Sequence, residues 1–294
     1  MERIIVAFVY VQDEQLDACV AAMSPFETSS RSGPMNGRWQ LTLRLRRSDL
    51  ATVQAMTHPY TDRPFSYREE CVFSKLELEG AELLAVRVDR RPVDILGVDG
   101  GMRYDFKIVS VYENPAPWCW QLTPLLLKRS DLPKALVGLQ QTIPMEMIVN
   151  TRLLGAVAGL RHKHVRLGPV VASDAATDWL QLMVDRVMPP YDAATTGLKT
   201  YRQEYAPSCS PPTVVSKLEE GFWPAYRRAE VIGIYGDIPQ IAFTYELEGT
   251  WVTDGLARQN AIPQPRLLVD QQTRHELMAA GVKKLEYVPV RWVD

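Results

Sequence analysis

The chain has 294 residues, enough for two modest domains or one large one with a full hydrophobic core. Hydrophobic residues make up 46% and charged residues 23%, an ordinary globular balance that excludes general disorder, and a formal net charge of -2 gives no global attraction to nucleic acid or to an anionic membrane. No window approaches the roughly 20 uninterrupted apolar residues that cross a bilayer, so a soluble protein without a membrane partner is expected.

The opening run IIVAFVYV, from Ile4 to Val11, predicts a first strand and not a leader, because acidic residues and Gln follow it at once and no small-residue cleavage site closes it. A helix follows over residues 14–23. The phrase WQLTLRLRRSDL, from Trp39, alternates Leu41, Leu43 and Leu45 with Thr42, Arg44 and Arg46, the period of a strand with one buried face. Ser48 or Asp49 would then cap a helix over 50–56 by accepting from its exposed N–H groups, with the Asp charge at the positive end of the helix dipole. Leu50, Val53 and Met56 mark its inner side.

Strands are predicted next over 71–78, 83–90 and 104–112. The phrase then returns at Trp120 as WQLTPLLLKRSDL. With Pro124 taken as an insertion, the copies differ only at Arg44 against Leu126 and Arg46 against Lys128. Leu122, Leu125 and Leu127 would form the strand, Ser130 or Asp131 the cap, and Pro133 the first turn of a helix over 133–140. Pro124 points to a bulge or an edge position. A strand, a cap and a helix written twice read as a reused building unit, with a shared binding role for Arg47 and Arg129 as the alternative. Neighbouring strands lie too close for strict alternation with helices, so the expected fold is α+β, with mixed or mostly antiparallel sheets and short helices.

A boundary is placed in QQTIPMEM, giving an N-terminal lobe over 1–144 that holds the repeated unit and a C-terminal lobe over 145–294. In the second lobe 145–160 and 177–188 read as helical. The latter follows Ser173 and Asp174 as a weaker copy of the unit, with Trp179, Leu182 and Met183 on one side. Residues 188–212 read as a loop-rich connector, and strands are predicted over 230–234 and 240–247. RLLVDQQTRHELMAAGVKKLEYVPV, from Arg266, predicts a strand at 267–269, a polar cap region, a helix stopped by Gly281, and a final strand.

Little in the sequence declares a chemistry. Cys19, Cys71, Cys119 and Cys209 are far apart and form no CxxC pair, so they read as reduced thiols of a cytoplasmic protein. His162 and His164 in LRHKHVRLG can share one face of a strand, yet no nearby carboxylate or thiolate completes a ligand set, and neither a metal nor a cofactor is expected. With Arg152, Arg161, Lys163 and Arg166 this stretch is the most basic local patch, suited to a phosphate backbone, an acidic protein face or plain solvation. The acidic pairs Glu69–Glu70 and Glu219–Glu220 diverge as sequence neighbours. No nucleophile elbow, phosphate-binding loop, HExxH helix or dinucleotide fingerprint occurs, and no catalytic residue is assigned. Recognition chemistry remains: EEGFWPAYRRAE sets Phe222, Trp223 and Tyr226 beside Arg227 and Arg228, residue types that anchor protein interfaces. These five form the candidate partner-binding set, the alternative being that the aromatics close a core beneath a loop.

The C-terminal RLLVDQQTRHELMAAGVKKLEYVPV resembles the ends of bacterial immunity proteins from polymorphic-toxin systems. The nearest are the double-CxxCG motif proteins and relatives, which finish in a strand, a helix closed by a Gly-Val pair and a last strand ending in Pro-Val. Here these are Gly281-Val282 and Pro289-Val290. The chain departs from that family in having no CxxCG pair, so no zinc-ribbon element is implied. The resemblance implies a small cytoplasmic protein that binds and neutralises a cognate toxin without catalysis, and it carries over no functional residue. The alternatives are an enzyme with an unrecognised site between the lobes, or a structural or adaptor subunit of a phage or secretion assembly.

Overall fold

A computed structural model of the chain describes residues 1–26, 28–35, 37–61, 65–88, 93–94, 104–107, 118–121, 125–127, 132, 138–143, 147–172, 175–192, 199–203, 213–217, 223–248 and 264–294. Its contacts divide them into two compact units, one over Met1–Lys75 and the other in the described parts of Leu76–Leu218 and Trp223–Asp294.

The first unit contains β1 (Glu2–Gln12), α1 (Leu16–Ala22), β2 (Thr28–Met35), β3 (Arg38–Leu45), α2 (Leu50–Thr57) and β4 (Ser66–Val72). Its strands form one antiparallel sheet in the order β2-β3-β1-β4. The register sets Ile5 opposite Leu45, Ala7 opposite Leu43 and Val9 opposite Leu41, so the period of both strands puts one apolar face together. That face is buried with Cys19, Met23 and Val53. The predicted capping of α2 is not realised. Arg47–Asp49 forms a 3-10 turn in which the Asp49 N–H donates to the Arg46 carbonyl at 3.0 Å, and Asp49 already has helical φ −91°, ψ −10°. The Ser48 hydroxyl turns to Asp49 Oδ1 at 3.1 Å and the Asp49 side chain accepts no helix N–H, because backbone carbonyls of the 3-10 turn take over that task.

Beyond β4 the predicted strand over 71–78 gives way to α3 (Lys75–Gly80). Its Leu-Glu alternation imitates a strand, but Lys, Leu and Glu are strong helix formers. The chain continues through β5 (Leu83–Val88), β6 (Val93–Asp94), β7 (Tyr104–Lys107), β8 (Trp118–Gln121), β9 (Leu125–Leu127), β10 (Leu139–Ile143), β11 (Met147–Asn150) and α4 (Thr151–Ala156). Then follow β12 (Val165–Ala172), β13 (Ala175–Val184), β14 (Lys199–Gln203), β15 (Thr213–Lys217), β16 (Ala225–Arg227) and α5 (Arg228–Tyr235). The last elements are β17 (Ile241–Glu248), β18 (Gln264–Asp270), α6 (Gln271–Ala279), β19 (Leu285–Pro289) and β20 (Arg291–Val293).

Two larger sheets, in the orders β6-β10-β11-β13-β12-β9 and β17-β18-β5-β19, carry the core of the second unit, and β7-β8, β14-β15 and β16-β20 form two-stranded ones. Val86, Leu139, Val149, Leu153, Val184, Leu267 and Leu277 meet in one buried cluster. The fold is α+β with mostly antiparallel pairing. The chain divides after Lys75 and not near 144, because Ala85 in β5 pairs with Leu268 in β18 and Val288 in β19, joining an early strand to the C-terminal ones.

Three helical expectations are corrected. Residues 177–188 lie largely in β13, whose two faces are both covered: Trp179 packs with Leu125, Ile148 and Val170, while Leu182 and Val184 enter the main core. A strand buried on both faces reads as a continuous apolar run, which imitates a helix. Residues 147–160 divide into β11, α4 and a 3-10 turn, residues 145 and 146 lying outside the described ones. Leu139 and Gln140 belong to β10, while residues 133–137 lie outside the described ones. Conversely, the predicted strand over 230–234 is part of α5, closed by Gly236 at φ 80°. Of the repeated phrase, the first copy makes one unbroken strand, β3. In the second, β8 pairs with β7 and β9 runs parallel to β12 in a different sheet, while Leu122, Pro124, Arg129, Ser130 and Asp131 lie outside the described residues. No helix among the described residues is long and apolar enough to cross a membrane.

Candidate protein-binding platform

Parallel pairing of β16 with β20 sets Ala225 opposite Arg291, Tyr226 opposite Trp292 and Arg227 opposite Val293. Alternation then sends Tyr226 and Trp292 to one face and Arg227 and Arg291 to the other. Tyr226 is fully buried, its ring 5.0 Å from that of Tyr191 and 6.5 Å from that of Trp292. It is a core residue, which removes it as an exposed anchor. Phe222 lies outside the described residues.

Trp223 is half-buried just ahead of β16, and its indole N–H donates to the Pro289 carbonyl at 2.7 Å. This bond fixes the indole against the end of β19. The Arg291 guanidinium lies over it, 5.6 Å from the ring centroid. Arg227 is 66% exposed, while its Nε donates to Oδ2 of the nearly buried Asp192 at 3.1 Å. Arg228, at the start of α5, forms a two-pronged pair with Glu82, Nη2 reaching Oε1 at 2.9 Å, and stacks over Trp292 at 5.6 Å. Hydrogen bonding to Arg228 holds the Glu82 carboxyl below its ordinary range, against a smaller opposing effect of burial.

The structure therefore sets Arg291 on Trp223 and Arg228 on Trp292, with Arg227 on the Arg291 face of the strand pair, and Arg291 and Trp292 are residues that the sequence reading passed over. The available signal was the Arg-Trp pair directly after Pro289-Val290, of the same residue types as the assigned stretch. Of the three arginines, Arg291 has no ion pair among the described residues. A guanidinium over an indole face keeps N–H donors for a carboxylate or a backbone carbonyl.

His162 and His164 lie with ring centroids 5.1 Å apart, and among the described residues no group of three His, Cys, Asp or Glu gathers around a point that could hold a metal ion. Cys19 is buried in the first unit, where burial pushes its thiol up to about 11, and Cys71 is half-buried in β4. Cys209 and the Cys119 side chain lie outside the described residues. Comparison of the chain with protein-family models, curated proteins and solved structures gave no match.

Proposed function

We propose that the chain is a non-catalytic protein-binding protein, an immunity protein that neutralises a cognate bacterial toxin by direct binding. The observation that supports it is the outward pair of guanidinium groups on the β16–β20 platform, Arg291 laid on Trp223 and Arg227 steadied by Asp192. A side chain already held in its binding conformation loses little rotamer freedom on association, so more of its interaction free energy appears as affinity. The indole beneath Arg291 also excludes water from one side of the charge, which strengthens a hydrogen bond to a partner carboxylate. The resemblance of the C-terminal segment to immunity proteins supplies the toxin half of the reading.

The test is co-expression with the product of the neighbouring reading frame. The expected result is a one-to-one complex and protection of growth. The variant R291E should bind at least about tenfold more weakly, equivalent to about 1.4 kcal/mol, at an unchanged melting temperature. A wild-type chain that neither forms a complex nor protects overturns the reading.

A further inference from the structure

The corner between the 3-10 turn Ala158–Arg161 and β12 carries charges that the platform does not use. The backbone closes tightly there: the Val165 N–H donates to the His162 carbonyl at 2.8 Å, and the Asp185 N–H to the His164 carbonyl at 2.8 Å. Three acidic side chains are nearby, and each is engaged: Glu276 Oε2 accepts the Ala158 N–H at 2.6 Å. Asp185 pairs with Arg166, and Asp237 pairs with Arg186 at 3.6 Å, Arg186 itself lying over the Tyr235 ring. Arg161 and Lys163 are exposed and have no ion pair among the described residues, and between them in sequence stands His162, its ring against that of His164.

We infer that the turn from Arg161 to Arg166 is a second interaction surface, which takes a carboxylate-bearing segment of another protein, with Arg161 and Lys163 as its cations and the His162–His164 pair at its centre. The local field agrees with this placement. His164 is held below its ordinary value first by burial and then by the charges of Arg186, His162 and Lys163, with Asp185 opposing. Magnitude decides against nucleic acid. Duplex binding commonly uses on the order of 6 to 10 phosphate contacts, far more than two unpaired cations provide, and a net charge of -2 opposes a long polyanion. Two or three carboxylates on a loop match the corner in number. This surface does not rest on the toxin reading, and its test uses no toxin.

The experiment adds a hexaglutamate peptide to the full chain at about 0.05 M salt and follows the imidazole carbon-bound protons by NMR. Saturable shifts of the His162 and His164 signals are expected, and the His164 midpoint should move up by roughly half a unit or more, because a nearby anion favours the imidazolium. The variant R161E/K163E should bind at least roughly tenfold more weakly at an unchanged melting temperature. Unmoved histidine signals, or equal binding by the variant, overturn the inference. Tighter binding of a DNA duplex of about 20 base pairs at the same signals overturns it in favour of nucleic acid.

Discussion

Asp270 sits at φ −74°, ψ 174° immediately before α6, and from that extended position its Oδ1 accepts the Thr273 N–H at 2.7 Å. Asp49 sits just before α2 with helical dihedrals, and its carboxylate accepts no N–H from the helix. Replacing Asp270 by Ala should therefore cost about 1 kcal/mol in urea denaturation, while Asp49→Ala stays within about 0.5 kcal/mol of the native chain. Equal losses in the two variants would count against this distinction. The sequence offers the same residue type in the same place both times, and what separates them is a backbone angle set by the turn before the helix. Tyr226 makes the same point about the candidate site. Its aromatic-Arg setting is legible, but whether it faces water or core depends on pairing with Trp292 at the far end of the chain. Arg291 joins the platform through that pairing too, so the contiguous half of the site could be read and the half completed by folding could not.

At the scale of elements, α6 and the 3-10 turn Ala158–Arg161 approach each other without room for a side chain at Gly159. A Cβ there would overlap Thr273 Oγ1 and lie 2.9 Å from its Cγ2, and the neighbouring Ala158 N–H donates to Glu276 Oε2 at 2.6 Å. Gly159→Ala should lower stability by roughly 1 to 3 kcal/mol, and adding Thr273→Ala should return part of it; thermal melts of the two variants check this. No recovery in the double variant would show that the turn, not the contact, sets the cost. The elements legible from sequence were those with one wetter face: β1, β3, α2 and α6 keep their period because one side of each is less buried than the other. β13 is covered on both faces, and α5 buries only Val231 within an Ile-rich, glycine-broken run, so neither shows the period of its own structure.

At the scale of the molecule, the apolar clusters among the described residues each draw their members from one unit. Leu41 belongs to the first unit and Leu268 lies in β18 of the second, each fully buried. Truncation of either to Ala should cost about 2 to 5 kcal/mol. Native-state hydrogen exchange should place the loss in the amides of β1 and β3 for Leu41→Ala, and in those of β5, β17 and β18 for Leu268→Ala. Loss of protection spread evenly over both units in either variant would refute separate cores. The α+β class was legible because it depends only on how many strands and helices occur and how closely they follow one another. The unit boundary was not, because β5 takes its partners from the other end of the chain.

That placement of β5 sets a clock on synthesis. The Gln271 side chain, at the junction of β18 and α6, donates to the Ala81 carbonyl at 2.8 Å from 190 residues further along, and β5 begins two residues after Ala81. At elongation rates of about 5 to 20 residues per second, strand β5 waits roughly 10 to 40 s for the strands that pair with it. Meanwhile Leu83, Leu84, Ala85 and Val86, all buried in the finished fold, are apolar surface on a nascent chain. That stretch, just downstream of the first unit, whose strands are already all synthesised, is where a chaperone acting on the nascent chain would find apolar surface.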